Sequence, residues 1–189
     1  MRLCRNFYSR STLKVAKGLL GKVLVHKTKF GVLKGRIVET EAYLGDKDPG
    51  SHAFRKITPR NKIMFGMPGF AYVYFTYGNH WLMNVVTEKE GVAGTVLLRA
   101  LEPIKGIEIM KKNRNKKDIR ILTNGPGKLT QAMMVGKKHN GIDVTKGELF
   151  IEDSKTKPRI HTTTRIGIKT GANLPYRFYV KDSVFVSKK

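Results

Sequence analysis

The sequence predicts a single α+β domain: a curved, mainly antiparallel β-sheet with helices packed around it and one protruding β-hairpin. Three observations carry that expectation. The chain has 189 residues, enough for one domain with a core of its own. Arg36–Gly45 alternates Val38, Thr40 and Ala42 with Glu39, Glu41 and Tyr43, the period of a half-buried strand. Phe70–Val86 reads as two aromatic strands around a turn at Tyr77-Gly78-Asn79-His80, hence a hairpin.

Taken in order, Ser11 and Thr12 supply an N-cap, and Leu13, Ala16, Leu19 and Leu20 follow at helical spacing as far as Gly21. Val23, Leu24 and Val25 begin a strand, and Lys29-Phe-Gly31 turns the chain into the strand that carries Glu41. The stretch after Gly45 is a loop by composition, and Thr58-Pro59 opens a short helix near Asn61. Beyond the hairpin, Val92–Leu101 reads as a strand with Arg99 near its end, and Pro103 as the start of a helix with Ile104, Ile107 and Met110 inward. Asn124-Gly-Pro-Gly127 leads into a helix with Leu129, Ala132 and Met133 inward. Strands are expected at Gly147–Glu152, Thr162–Ile168 and Arg177–Val180.

Thirty-seven Lys and Arg against fourteen acids give a net charge of +23. A field of that sign favours a polyanion, and nucleic acid is the expected partner. A solvated Lys-rich surface accounts for only part of such an excess. Five of the seven residues in Lys111–Lys117 are basic, a run that suits a solvated helix end with phosphate-attracting character. Cys4 is the single cysteine, so there is neither an intramolecular disulfide nor a cysteine zinc site. The five histidines lack metal-ligand spacing, and neither a metal nor another cofactor is expected. The N-terminal arginines are followed by an apolar run broken by lysines, and no window of transmembrane length lacks charge. A protein acting inside the cell, away from membranes, is the expectation.

Two carboxylates and a phenol on one strand face are unusual for a strand with a purely structural role. A solvated edge strand is the plainer alternative, since glutamate is ordinarily a surface residue. The hairpin tip poses a similar choice. Turn chemistry asks only for Gly and Asn there, yet Tyr77 and His80 are present, so Tyr77 is either a wedge or folds back on the core.

In its ordered blocks the chain resembles the alkyladenine (3-methyladenine) DNA glycosylases. The matching segments include Val38-Glu-Thr-Glu-Ala-Tyr-Leu-Gly45, Ser51-His-Ala53, Thr58-Pro-Arg-Asn61, Tyr72-Val-Tyr74, Tyr77-Gly78 and Met83-Asn84. They continue through Leu97-Leu-Arg-Ala-Leu-Glu-Pro103, Asn124-Gly-Pro-Gly-Lys-Leu129, Arg165-Ile-Gly-Ile168 and Arg177-Phe-Tyr-Val180. Order and spacing hold over nearly the whole chain, weakening at 111–123 and 137–162.

The resemblance implies one catalytic domain over residues 1–189. It implies an enzyme of base excision repair that flips damaged purines out of double-stranded DNA and hydrolyses the N-glycosidic bond, leaving an abasic site. Glu41 corresponds to the general base that activates water, Arg99 to the arginine that helps hold it, and Ile166 to a position whose backbone carbonyl does the same. Tyr43, His52 and Tyr74 correspond to aromatic walls around the flipped base, a fitting enclosure for a cationic alkylated purine. Asn84 corresponds to the side chain that crowds the 2-amino group of normal guanine. Tyr77 corresponds to the minor-groove wedge, with Asn79 and His80 beside it on the DNA-contacting tip. Two departures bear on specificity: Asn79 replaces a bulkier apolar residue of some relatives, and His52 is followed by Ala-Phe-Arg-Lys-Ile57 without the glycine many members have.

Glu39 and Glu41 stand side by side and would not flank a sugar from opposite faces, so Glu39 is read as supporting and not as a second catalytic acid. No lysine is placed as a Schiff-base nucleophile, and simple hydrolysis by a monomer is expected. Two competing classes are a non-catalytic basic nucleic-acid-binding protein, which leaves Glu41 unexplained, and a hydrolase of free nucleosides, ill-served by the wedge and the charge.

Overall fold

The structure, a computed structural model, describes residues 1–76 and 78–188. Eight strands form one sheet in which every pairing is antiparallel: β1 (Val23–Thr28), β2 (Gly31–Tyr43), β3 (Ala71–Thr76), β4 (His80–Val86), β5 (Thr95–Lys105), β6 (Leu149–Glu152), β7 (Ile160–Thr163) and β8 (Arg177–Val180). The order is β3-β4-β5-β2-β1-β6, with β8 pairing with β2 and β7. Helices α1 (Arg5–Tyr8), α2 (Thr12–Leu19), α3 (Ile107–Arg114) and α4 (Pro126–Ala132) complete the α+β fold.

The sheet is organised around β2. Its first half pairs with β1 and its second half with β8, while β5 runs along its other edge. From Val38 to Ala42 both faces are buried, so neither the half-buried pattern nor the edge-strand alternative holds. Tertiary packing explains the difference. Thr40 donates its hydroxyl to Ala16 O of α2 (2.9 Å), so the small residues lie under that helix. The acidic face is covered by β5, β8 and the segments that follow β7 and β8. The β2–β5 register shifts between Ile37 and Glu39 and shifts back between Glu39 and Thr40, an irregularity that brackets Glu39, which pairs with Ala100 next to Arg99.

Helix α2 forms where expected, burying Val15, Ala16 and Leu19. Its start is not capped by the Ser11 side chain. Glu88 reaches over instead, accepting from Thr12 N (2.5 Å) and Thr12 Oγ1 (2.7 Å), and so supplies the negative charge that a helix N-terminus favours. The β1–β2 and β3–β4 hairpins also form, the latter carrying an exposed tip at Gly78, Asn79 and His80.

Four expectations are corrected. Pro103 does not open a helix: it lies within β5, opposite Gly35, and Ile104 is exposed. Helix α3 begins only after Gly106, whose φ of 77° turns the chain at a place where a Cβ would stand 2.5 Å from Leu33 Cδ2. Met110 then reaches the core. The strand expected from Val92 starts at Thr95, and the strand expected over Thr162–Ile168 is confined to Ile160–Thr163. Residues 165–168 form a loop that enters the site described below. The helix at Thr58-Pro59 is a short 3-10 turn over Lys62–Phe65.

At the β1–β6 edge, His26 and His139 are buried with their rings edge to face at 4.9 Å. His26 Nδ1 meets Met133 O at 2.7 Å, and Gly136 N donates to His139 Nδ1 at 2.9 Å. Burial, the neighbouring ring and Lys138 push His139 down from 6.5 to about 4, and burial lowers His26 as well. The unfolded chain therefore binds more protons than the folded one between these values, so stability falls as pH drops from about 6.5 towards 4. Denaturant unfolding across that range should show the loss, and His139→Asn, which keeps an acceptor for Gly136 N but does not titrate, should flatten it.

Candidate active site

The site is built outward from Glu41, whose side chain is fully buried. Its Oε1 accepts from Ile166 N (2.8 Å) and faces Arg99 Nη1 at 3.3 Å, while Oε2 accepts from Tyr43 Oη (2.8 Å). Burial raises its pKa above the ordinary value; Arg99, the Ile166 amide and Tyr43 oppose that rise without cancelling it. The Tyr43 hydroxyl is pushed strongly upward by burial and by Glu41, so it remains a donor to the carboxylate.

In front of this carboxylate lies a pocket of about 250 Å³, lined among others by Tyr43, His52, Tyr74, Asn84, Arg99 and Ile166. The structure thus brings six of the expected site residues to one cavity, with Glu41 bonded to its wall. The aromatic side is built by β3 and the loop after β2. His52 and Tyr74 rings lie 4.7 Å apart, and the His52 Nδ1–Tyr72 Oη contact is 2.9 Å. Partial burial and nearby Arg60 lower the pKa of His52, which favours its neutral form. Asn61 fixes the loop, donating from Nδ2 to His52 O (2.8 Å) and Lys56 O (2.9 Å). Asn84 is buried on β4 and donates to Tyr72 O at 3.2 Å.

Ile166 arrives in an unexpected role. It contacts Glu41 through its amide N–H, a contact the resemblance did not include; the part its carbonyl would take in holding the water is a separate matter. Its loop is held by Arg165, which donates to both oxygens of buried Asp48 (2.5 and 2.6 Å), to Ala42 O (2.9 Å) and to Gly171 O (3.1 Å). Both ion-pair side chains are fully buried, and removing either partner of such a pair typically costs about 3–5 kcal/mol.

Glu39 lies on the same face as Glu41, as the strand period required. Arg177 Nη1 (2.7 Å) and Ser187 Oγ (2.9 Å) donate to its Oε1, Ser187 N donates to Oε2 (2.6 Å), and Arg99 Nε is 3.3 Å from Oε1. Arg99 therefore spans the two carboxylates.

On the hairpin, Asn79 and His80 are exposed, and Thr76 lines the pocket. A Cβ on Gly127 would stand 2.8 Å from His80 Cγ, so the glycine of the α4 entry admits that ring. Tyr77, the expected wedge, lies outside the described residues.

Several contributors escaped sequence reasoning: Tyr72 behind His52, Arg60 over the Tyr74 ring (5.0 Å), Asp48 with Arg165, and Ser187. Arg165 could have been noticed as the first residue of the Arg165-Ile-Gly-Ile block. Asp48 sits among ordinary loop residues and gave no signal.

A profile of the family described as methylpurine-DNA glycosylase (MPG) matches residues 6–184. The chain belongs to this family. It is a DNA glycosylase, a hydrolase of N-glycosyl bonds whose substrate is DNA with damaged bases. Among similar proteins, one from Prosthecochloris aestuarii is 53% identical, covering 99% of this chain and 91% of its own. One from Carboxydothermus hydrogenoformans is 52% identical and one from Alkaliphilus oremlandii 50%, each over 100% of both chains. All three are provisionally named 3-methyladenine DNA glycosylases.

The raised pKa of Glu41 carries a stability consequence. An acid whose folded pKa exceeds its unfolded value stabilises the fold at low pH and loses that contribution as pH rises through the folded value. At neutral pH the buried charge is a cost, so Glu41→Gln should raise the thermal midpoint, by roughly 2–4 °C, against wild type in calorimetry.

Proposed function

We propose that this glycosylase flips a damaged purine out of duplex DNA into the pocket beside Tyr43, His52 and Tyr74, and that Glu41 activates the water that cleaves its N-glycosidic bond. The observation that carries the reading is Glu41 itself: a fully buried carboxylate in a chain of charge +23, bonded to three pocket-lining residues. A protein that only bound DNA would gain affinity by lacking it.

The chemistry follows from these contacts. A carboxylate oxygen has two lone pairs, and among the described residues Oε2 accepts only from Tyr43 Oη, which leaves it capacity for a water proton. Arg99 and the Ile166 amide keep Oε1 in place. As the bond to the base breaks, positive charge grows on the sugar and the carboxylate stabilises it. Water adds to the sugar carbon, Glu41 takes its proton, and the base leaves with the bonding electrons. An N3- or N7-alkylated purine is cationic beforehand and becomes neutral on leaving, so no acid is required. The raised pKa brings Glu41 nearer to working pH, where a general base is most effective.

The walls suit a cationic base. Tyr43 and Tyr74 present aromatic faces, and the lowered pKa of His52 reduces positive charge where it would repel one. Asn84 crowds the 2-amino group of normal guanine, a reading supported by its burial and its tether to Tyr72 O. Tyr77 fills the gap left in the duplex, and the exposed Asn79 and His80 contact the DNA. The enzyme works as a monomer, without metal or cofactor, wherever in the cell the genomic DNA lies. Among the described residues no helix is long and apolar enough to cross a membrane.

The test is single-turnover base release from a duplex carrying one hypoxanthine, alongside alkylated genomic DNA. Glu41→Gln should abolish release while duplex binding stays equal or tightens; retained turnover would move the chemistry elsewhere. Tyr77→Ser should slow release from duplex more than from a substrate in which the lesion is already unpaired. Equal losses on both would remove the wedge assignment.

A further inference from the structure

After β8 the chain folds back across the acidic face of β2. Val186 is buried, Arg177 Nη1 donates to Lys188 O at 2.8 Å, and Ser187 reaches the two carboxylates' shared arginine. Ser187 is bonded three ways there. Its amide donates to Glu39 Oε2 (2.6 Å), its hydroxyl donates to Glu39 Oε1 (2.9 Å), and the same hydroxyl accepts from Arg99 Nε (3.2 Å).

Arg99 is contested. Its Nε lies 3.3 Å from Glu39 Oε1 and its Nη1 lies 3.3 Å from Glu41 Oε1. Both separations exceed the roughly 2.7–2.9 Å of a full charge-assisted bond, so the guanidinium is shared and committed to neither partner. What Glu39 takes from Arg99, Glu41 loses. Ser187 supplies Glu39 with two donors that it would otherwise draw from the arginine, and it anchors Nε on its own oxygen.

We propose that Ser187 is a positioning residue for base release: by satisfying Glu39 and seating Arg99, it keeps the guanidinium on Glu41. The proposal rests on the reading of Glu41 as the base. Without the hydroxyl, Glu39 draws Arg99 towards itself and Glu41 loses the cation that favours its ionised form. The charged and titratable groups around Glu41 are Glu39 and Tyr43 on its own strand, Arg99 on β5, Arg177 on β8 and Arg165 on the loop that carries Ile166. Of these, Arg99 is the one whose position Ser187 sets directly.

Because Arg99 lowers the pKa of Glu41, displacing it moves the titration upward. Two measurements decide the matter. The first is carbon-13 NMR titration of the Glu41 carboxyl in the free protein, assigned by its disappearance in Glu41→Gln. Ser187→Ala should titrate at higher pH than wild type, and Ser187→Thr, which keeps the hydroxyl, should follow wild type. The second is the pH profile of single-turnover release from the hypoxanthine duplex. On the acid side Ser187→Ala should be roughly tenfold slower, with the acid limb displaced upward, duplex binding close to wild type and the thermal midpoint lowered by several degrees for the lost hydrogen bond. Ser187→Thr should recover the rate.

An unmoved titration and an unmoved acid limb in Ser187→Ala would overturn the proposal. So would equal losses in the Ala and Thr variants, which would reduce the segment to packing. A wild-type protein that releases no base would instead defeat the reading of Glu41, and the free-protein titration would still decide whether Ser187 controls the Arg99–Glu41 pair.

Discussion

Charge taken out of water must be matched, and this sheet buries three carboxylates, Glu39, Glu41 and Asp48, against three guanidiniums, Arg99, Arg165 and Arg177. Much of the rest follows from that matching. β2 has to be central, since only strands on both sides can deliver arginines to its acidic face. β5 brings Arg99, β8 brings Arg177, and the loop after β7 brings Arg165 to Asp48 and the Ile166 amide to Glu41. Among the described residues every buried basic side chain in this matching is arginine and none is lysine. A planar fork with several fixed donors can serve two acceptors at once, as Arg99 and Arg165 do here, and a compact ammonium suits that geometry poorly.

The remaining positive charge is left for the surface, and the two populations of base serve different ends. Buried arginines set the state of a single carboxylate over distances of about 3 Å. Surface lysines and arginines act together as a long-range field that draws in a polyanion and weakens with salt. The pocket between them is walled by aromatic, aliphatic and polar uncharged side chains, and among the described residues Arg99 is the one charged group in its lining. Its low charge matters for a cationic base, which a basic protein would otherwise repel at close range. Arg60 stands over the Tyr74 ring at 5.0 Å on the pocket's outer side, so the electropositive surface comes close to the cavity while aromatic groups form its wall.

Much of this was legible in the sequence because it is written in local periodicity. The alternation through Glu39, Glu41 and Tyr43 put the site's carboxylates on a strand, and the aromatic pattern of Phe70–Val86 gave the hairpin whose β3 carries Tyr74. Other features escaped because they depend on residues far apart in the chain. Pro103 looks like a helix start, yet an edge of β5 at a register irregularity tolerates it, and tertiary pairing with Gly35 outweighs the local signal. The burial of both faces of β2 is invisible locally, since Glu39 reads as a surface residue until Arg177 and Ser187, nearly 140 and 150 positions away, are folded onto it. The register shifts that bracket Glu39 carry no glycine or proline of their own. Ile166 was placed by resemblance, but which of its backbone atoms faces Glu41 is a matter of loop geometry, and that loop is set by Asp48.

The arrangement also bears on why a single carboxylate is enough for the chemistry proposed. Two acids in hydrogen-bond reach of one arginine resemble a glycosidase pair, but such pairs stand on opposite sides of the bond they cleave, about 5 Å apart or more. Glu39 and Glu41 share one strand face and one guanidinium, and Glu39 has both of its oxygens occupied by Arg177 and Ser187. It has no path to the pocket and no spare capacity to deliver a proton there. Its burial is useful in another way: an anion behind Arg99 holds the arginine in place without itself meeting substrate. The protonation that a second acid would supply is built into a purine alkylated at N3 or N7, whose positive charge already weakens the bond to the sugar. A neutral lesion such as hypoxanthine lacks that advantage, and nothing on the acidic face of β2 replaces it. The burden of activating such a base would fall on whatever polar groups the pocket wall presents to its ring nitrogens, and Arg99, His52 and Asn84 are among the polar residues that line it.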